Sequence, residues 1–165
     1  MHWLAFPLHP ETPEEGQTLE ELFAGRNVNI PEVLARLKTV ADSLGLPFAE
    51  RRMTYNSRLA QELGKWAETQ EMGDEFHHAM FQAYFVEGQN IAKEAVLIDV
   101  IEALNMNIDK AREVIRNRSF QSQVDSDWQR TYALGVTAVP TFVKDGEMLV
   151  GAQPYDALER FAIGA

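Results

Sequence analysis

The 165-residue chain contains no cysteine. That excludes disulfides, thiolate catalysis by its own residues, cysteine-based zinc sites and cysteine-ligated iron–sulfur clusters. It also fits a reducing, cytoplasmic setting. Long apolar runs are missing too. The longest, Ala95 to Ile101, is broken by Asp99 and falls far short of the roughly 18 residues that cross a bilayer. Basic surplus is absent: 15 Lys and Arg face 25 Asp and Glu, for a net charge of −10. A nucleic-acid reader carries a basic face. Here the cations are scattered among acids, so neither nucleic acid nor an anionic membrane is expected as a partner, and the acidic balance serves solubility. The start, His2-Trp3-Leu4-Ala5-Phe6-Pro7, has no basic n-region and no sustained apolar stretch. No signal peptide is expected.

What is present is an ordinary globular composition, with 45% hydrophobic and 24% charged residues. The length suits one domain with a real core. Residues 3–8 read as a strand, with Pro7 marking an edge position. A loop rich in proline and acid continues to Gly16. Thr18-x-x-Glu21 is a capping box for a short helix ending at Gly25. Pro31 opens the next helix and Gly45 stops it. Val33, Leu34, Leu37, Val40, Ala41 and Leu44 share one of its faces. Asn56 caps a helix through Gln70 and Asp74 caps another that stops at Gly88. Further helices run from Ala92 to Leu104, from Asn107 or Asp109, and from Ser119 to Gly135. Two strands, Thr141–Lys144 and Glu147–Val150, flank Asp145-Gly146, a strong hairpin turn. A last helix begins near Pro154. The order is one strand, a block of helices, a hairpin and a helix. This is an α/β or α+β pattern whose strands, at the two ends of the chain, are expected to meet in one sheet.

Several motifs fit this block. Trp3-x-x-Phe6-x-Leu8-x-Pro10, Asn56-x-x-Leu59-Ala60, Phe81-x-Ala83-Tyr84-Phe85-x-x-Gly88, Leu134-Gly135-Val136-x-x-Val139-Pro140-Thr141-Phe142 and Gly151-Ala152-Gln153-Pro154 occur in that order. Together they resemble the DsbA-like branch of the thioredoxin superfamily, and FrnE-type members most closely. The resemblance implies an α/β, truncated thioredoxin-like fold with a large inserted helical subdomain. Residues 1–16 and 135–165 would form the sheet part and 17–134 the mainly helical part of a single domain. It implies that the strand and helix bearing the family's Cys-x-x-Cys pair are not in this chain, so no catalytic residue carries over. It also implies that Val139 and Pro140 form the cis-proline hairpin that offers its backbone to an extended peptide or a thiol compound. Loss of a central strand would leave unpaired sheet edges, and a homodimer is one way to cover them.

Other constellations carry less. Glu75-x-x-His78 has di-iron spacing but lacks a matching pair on a second helix, so no metal is expected. His77 and His78 read as a surface or half-buried pair. Phe76, Met80, Phe81, Tyr84 and Phe85 form a stripe read as core. Asp125 and Asp127, beside Trp128, lack the calcium-loop pattern and are read as a solvated helix face. Ser43, Ser57, Ser119, Ser122 and Ser126 sit at or inside helices, without a nucleophile elbow. No cofactor is expected. The function implied by the resemblance is a disulfide-oxidoreductase homologue that is itself redox-silent. A glutathione-dependent isomerase or transferase and a non-catalytic or truncated product are the alternatives.

Overall fold

The structure is a computed structural model and describes residues 2–164. Packing divides the chain into two compact units, one formed by Met1–Leu8 with Asp125–Ala165, the other by His9–Val124.

The larger unit is helical. β1 (Gln17–Thr18) pairs antiparallel with β2 (Met53–Thr54), a short ladder that sequence reading does not anticipate. Gly16 makes this contact possible. Its φ is +81°, and a Cβ there would lie 2.4 Å from the Tyr55 ring and 2.7 Å from the Thr54 carbonyl oxygen. α1 (Leu19–Leu22) starts at the expected capping box, in which Glu21 N–H donates to Thr18 Oγ1 and Thr18 N–H to a Glu21 carboxylate oxygen. α2 (Ile30–Ser43) is capped by Asn29 and ends before Gly45. Of its apolar residues only Ala41 is buried; Val33, Leu37, Val40 and Leu44 are exposed.

α3 (Arg58–Thr69), α4 (Gly73–Phe81), a π-helical turn (Gln82–Val86), α5 (Glu94–Ala103) and α6 (Ile108–Asn117) build the core. Asp74 falls inside the first turn of α4 rather than at its cap, which is Met72. Leu63, Ala67, Leu97, Ile101 and Ala111 are fully buried and Phe76 nearly so. Among them lies one charged group. Glu62, 2% exposed, accepts from Arg58 Nε at 2.6 Å and from Arg118 through two bonds of 2.7 Å. Arg118 reaches it from the left-handed cap of α6. Burial by itself raises the Glu62 pKa, but the hydrogen bonds and charges of Arg118 and Arg58 outweigh it and hold the carboxyl below its usual range.

The smaller unit is thinly packed. α7 (Gln121–Ala133) enters it from the larger one, and β3 (Thr141–Lys144) pairs with β4 (Glu147–Val150) in the expected register, Phe142 opposite Leu149. Asp145 and Gly146 both have positive φ, as the two-residue turn requires. α8 (Tyr155–Ile163) comes directly after Pro154, and Lys144 Nζ donates to the Ala162 carbonyl at 2.8 Å.

Residues 3–8 correct the sequence reading. They form no strand, and no described strand joins β3 and β4 in their sheet. The reason is where their donors go. Ala5 N–H donates to the Asp127 carboxylate at 2.9 Å, Leu8 N–H turns back to the Phe6 carbonyl at 3.0 Å, and Pro7 has no N–H to give. Asp127 is therefore not on a solvated face. It is half-buried on α7 and caps this segment.

Candidate functional site

The hairpin residues begin where α7 stops. Gly135, with φ +73°, ends the helix, and Val136 N–H returns to the Thr131 carbonyl at 3.0 Å. Val136 and Thr131 are buried, so this turn anchors the start of the hairpin. Thr141 Oγ1 then donates to the Ala138 carbonyl at 2.6 Å, and Gly151 N–H donates to the Pro140 carbonyl at 2.8 Å. These two bonds tie the residues on either side of Val139. The Val139–Pro140 peptide bond is cis.

Val139 itself is left open. The residue is 46% exposed, and its N–H and C=O take part in no hydrogen bond among the described residues. It lies two residues before β3, whose outer edge has no partner among the described residues. A fixed backbone with one donor, one acceptor and an open strand edge can receive an extended segment by main-chain pairing. No titratable side chain stands in this stretch, so the chemistry available here is recognition by the backbone, with no acid, base or nucleophile attached.

The other candidates fall elsewhere. Glu75 and His78 are exposed on α4, while His77 is half-buried, 3.8 Å from Glu68. Burial first, then the charge of Lys65, pushes the His77 pKa below its usual value against the opposing pull of Glu68. No group of three or more histidine or carboxylate side chains with metal-ligand proximity occurs among the described residues. The aromatic stripe divides. Phe76 and Met80 are core, as read, but Phe81 is 49% exposed and Tyr84 and Phe85 are half-buried. Tyr84 packs against the core from its rim, both residues lie in the π-helical turn of residues 82–86, and both rings meet Arg51. Sequence reasoning missed Arg51. Its one signal is a doublet, Arg51-Arg52, inside a chain dominated by acids.

Known proteins share this plan. The family model of the DSBA-like thioredoxin domain matches residues 1–162. A crystal structure of a probable DsbA oxidoreductase of Streptomyces coelicolor superposes with a TM-score of 0.85 at 21% identity, covering 98% of this chain and 74% of that one. The cytosolic disulfide reductase DsbM of Pseudomonas aeruginosa gives a TM-score of 0.59 at 20% identity, covering 81% of this chain and 77% of its own; DsbM has also been solved with GSH. Among curated proteins, the uncharacterized protein YwbO of Bacillus subtilis is 28% identical over 103 residues, 62% of this chain. The chain spans about half (52%) of YwbO's length. At these identities the solved structures establish the fold: DsbA-like thioredoxin, mixed α/β and rich in helix.

Proposed function

The chain belongs to the DSBA-like thioredoxin domain family, and from that premise we propose that it is an FrnE-type disulfide-oxidoreductase homologue in which these 165 residues are redox-silent and bind through the Val139–Pro140 hairpin. The observation that carries the reading is the open Val139 backbone beside a free strand edge. The absence of cysteine from the sequence supports the redox-silent part, because thiol–disulfide exchange needs a thiolate to attack and none is available here. The ligand is an extended peptide or a small thiol compound, paired through the backbone of Val139. Its working form is a homodimer in the cytoplasm. The free hairpin edges support the first point. The lack of cysteine and the cytosolic character of DsbM support the second.

Insulin reduction by dithiothreitol tests the silent reading. The chain is expected to leave the rate at the buffer value, and clear acceleration overturns it. Sedimentation tests the dimer. A glutathione-dependent isomerase or transferase is the second reading, favoured by the GSH-bound DsbM structure. Titration calorimetry with turnover assays separates the two: glutathione that binds and supports conversion of an isomerisable substrate, or is itself consumed with an electrophile, selects the second, and binding without turnover selects the first.

A further inference from the structure

Among the described residues, the helical unit exposes seven large apolar side chains, and six of them, Val28, Val33, Leu37, Val40, Leu44 and Leu46, fall between positions 28 and 46. Single exposed apolar residues need no explanation, but a cluster marks an interaction surface. α2 runs through this cluster and carries two apolar stripes. Ile30, Leu34 and Ala41 lie on its inner side, half-buried or buried. They are enough to seat the helix. Val33, Leu37, Val40 and Leu44 form the second stripe, and all four are exposed, Leu44 to 66%.

The spacing of the second stripe tells what covers it. Its steps of four, three and four residues repeat every seven, as the a and d positions of paired helices do. The order of sizes fits a second copy of the same helix. Turned antiparallel about a two-fold axis, Leu37 of one copy faces Val40 of the other, and Val33 faces Leu44. Every layer then joins a smaller side chain to a larger one, and the surface is its own complement, as a two-fold contact requires. The ends match as well. A recess of about 290 Å³ lies at the start of α2, lined by Asn27, Val28, Asn29, Glu32, Val33 and Arg36. At the other end Leu46 N–H returns to the Ala41 carbonyl at 2.9 Å, which holds the exposed Leu46 beside Leu44. The two-fold turn carries these leucines over the recess of the other copy.

Charge permits the approach. Two chains of net charge −10 repel each other as wholes. Between Arg26 and Leu46, however, the cations Arg26, Arg36 and Lys38 outnumber the acids Glu32 and Asp42, and Asp42 is neutralised by Lys38 at 2.9 Å. By the helical period both acids stand off the second stripe, and Arg36 flanks it. Antiparallel helices also set opposite dipole ends side by side.

We propose that the exposed stripe of α2, with Val28 and Leu46, is the face on which two copies of this chain pair, antiparallel about an axis between Leu37 and Val40. The pairing rests on the homodimer reading above and gives it a face in the helical unit, apart from the hairpin edges. One helix pair belongs at the small end of specific interfaces, about 1,200 Å², so a reversible dimer of micromolar affinity is expected.

The test is sedimentation velocity of the full chain from about 1 µM to about 1 mM, a range that brackets such affinities. Leu37→Glu and Val40→Glu, at exposed positions that leave the helix intact, should each weaken dimerisation at least about tenfold. Thr39→Glu adds the same charge to the same helix off the stripe and should change it by no more than about twofold. The chain has no cysteine, so single introduced thiols report orientation. A mixture of Leu37→Cys and Val40→Cys chains should cross-link on air oxidation several-fold faster than either alone, because only that mixture brings two thiols face to face. A chain that stays monomeric to about 1 mM overturns both the pairing and the homodimer reading. A dimer unmoved by Leu37→Glu and Val40→Glu, but abolished by Val143→Glu on β3, overturns the α2 face alone and leaves the homodimer to the hairpin. Equal losses in Thr39→Glu and Leu37→Glu, or fastest cross-linking by Leu37→Cys alone, overturn the antiparallel seam. Should either glutamate variant fail to fold, the cross-linking result decides.

Discussion

The helical unit and the hairpin unit are built on opposite principles. In the first, four helices and a π-helical turn close around Leu63, Leu97 and Ile101, which have no solvent exposure, and even the charge inside, Glu62, has its partners. In the second, a two-stranded hairpin and α8 leave Val139, Val143, Met148, Val150 and Ile163 exposed, and among the described residues only Val136 and Pro7 are buried apolar ones. An isolated hairpin is marginal in water. The contrast teaches where stability resides and which part of the chain leaves its backbone open. The helices supply a core that tolerates little change. The hairpin supplies backbone and apolar surface with no occupant of their own.

Substitution should separate the two units, and the largest effect should come from the buried charge. Glu62→Ala strands two arginines and should cost about 3–5 kcal/mol in urea denaturation. The same cluster gives a pH signature. The Glu62 pKa is lower in the fold than in the unfolded chain, so its stabilisation is present above the ordinary carboxylate range. It is lost as pH falls through the lowered value. Glu62→Gln should be less stable than the parent at neutral pH, and the gap should narrow on acidification. A gap that widens in acid would contradict this account of the cluster. Leu63→Ala should come next, at about 2–5 kcal/mol. Asp127→Ala removes a charged acceptor from Ala5 N–H and should cost about 1–3 kcal/mol, seen as faster amide exchange in residues 3–8 with the helical core unaffected. Smallest of all, Val143→Thr on the open face of β3 should change stability by no more than about 0.5 kcal/mol. A cost near that of Leu63→Ala would mean that the hairpin is covered in solution.

These differences also mark what could be read from the sequence. The hairpin was legible because Asp145-Gly146 admits the positive φ of its turn and the alternating strands on either side have fixed lengths. Most helices were legible through caps such as Thr18 with Glu21 and through apolar spacing. Residues 3–8 were not. Their composition suits a strand, but strand formation needs a partner backbone, and a long-range acceptor, Asp127, took the Ala5 donor instead. The π-helical turn was hidden for a similar reason. Tyr84 and Phe85 continue a helical stripe in one dimension, and the π-helical turn in which they lie has no compositional mark. Val139 was placed by its resemblance to a known hairpin, whereas Arg51 emerges through contacts spanning more than 30 positions.

The decisive measurement is amide hydrogen exchange on the full chain, with and without an extended cysteine-containing peptide. The account predicts that Val139 and the outer edge of β3 gain protection in proportion to peptide concentration, while the amides around Leu63, Leu97 and Ile101 stay as they were. Unchanged exchange at Val139 under saturating peptide, or protection gained in the helical core instead, would contradict it.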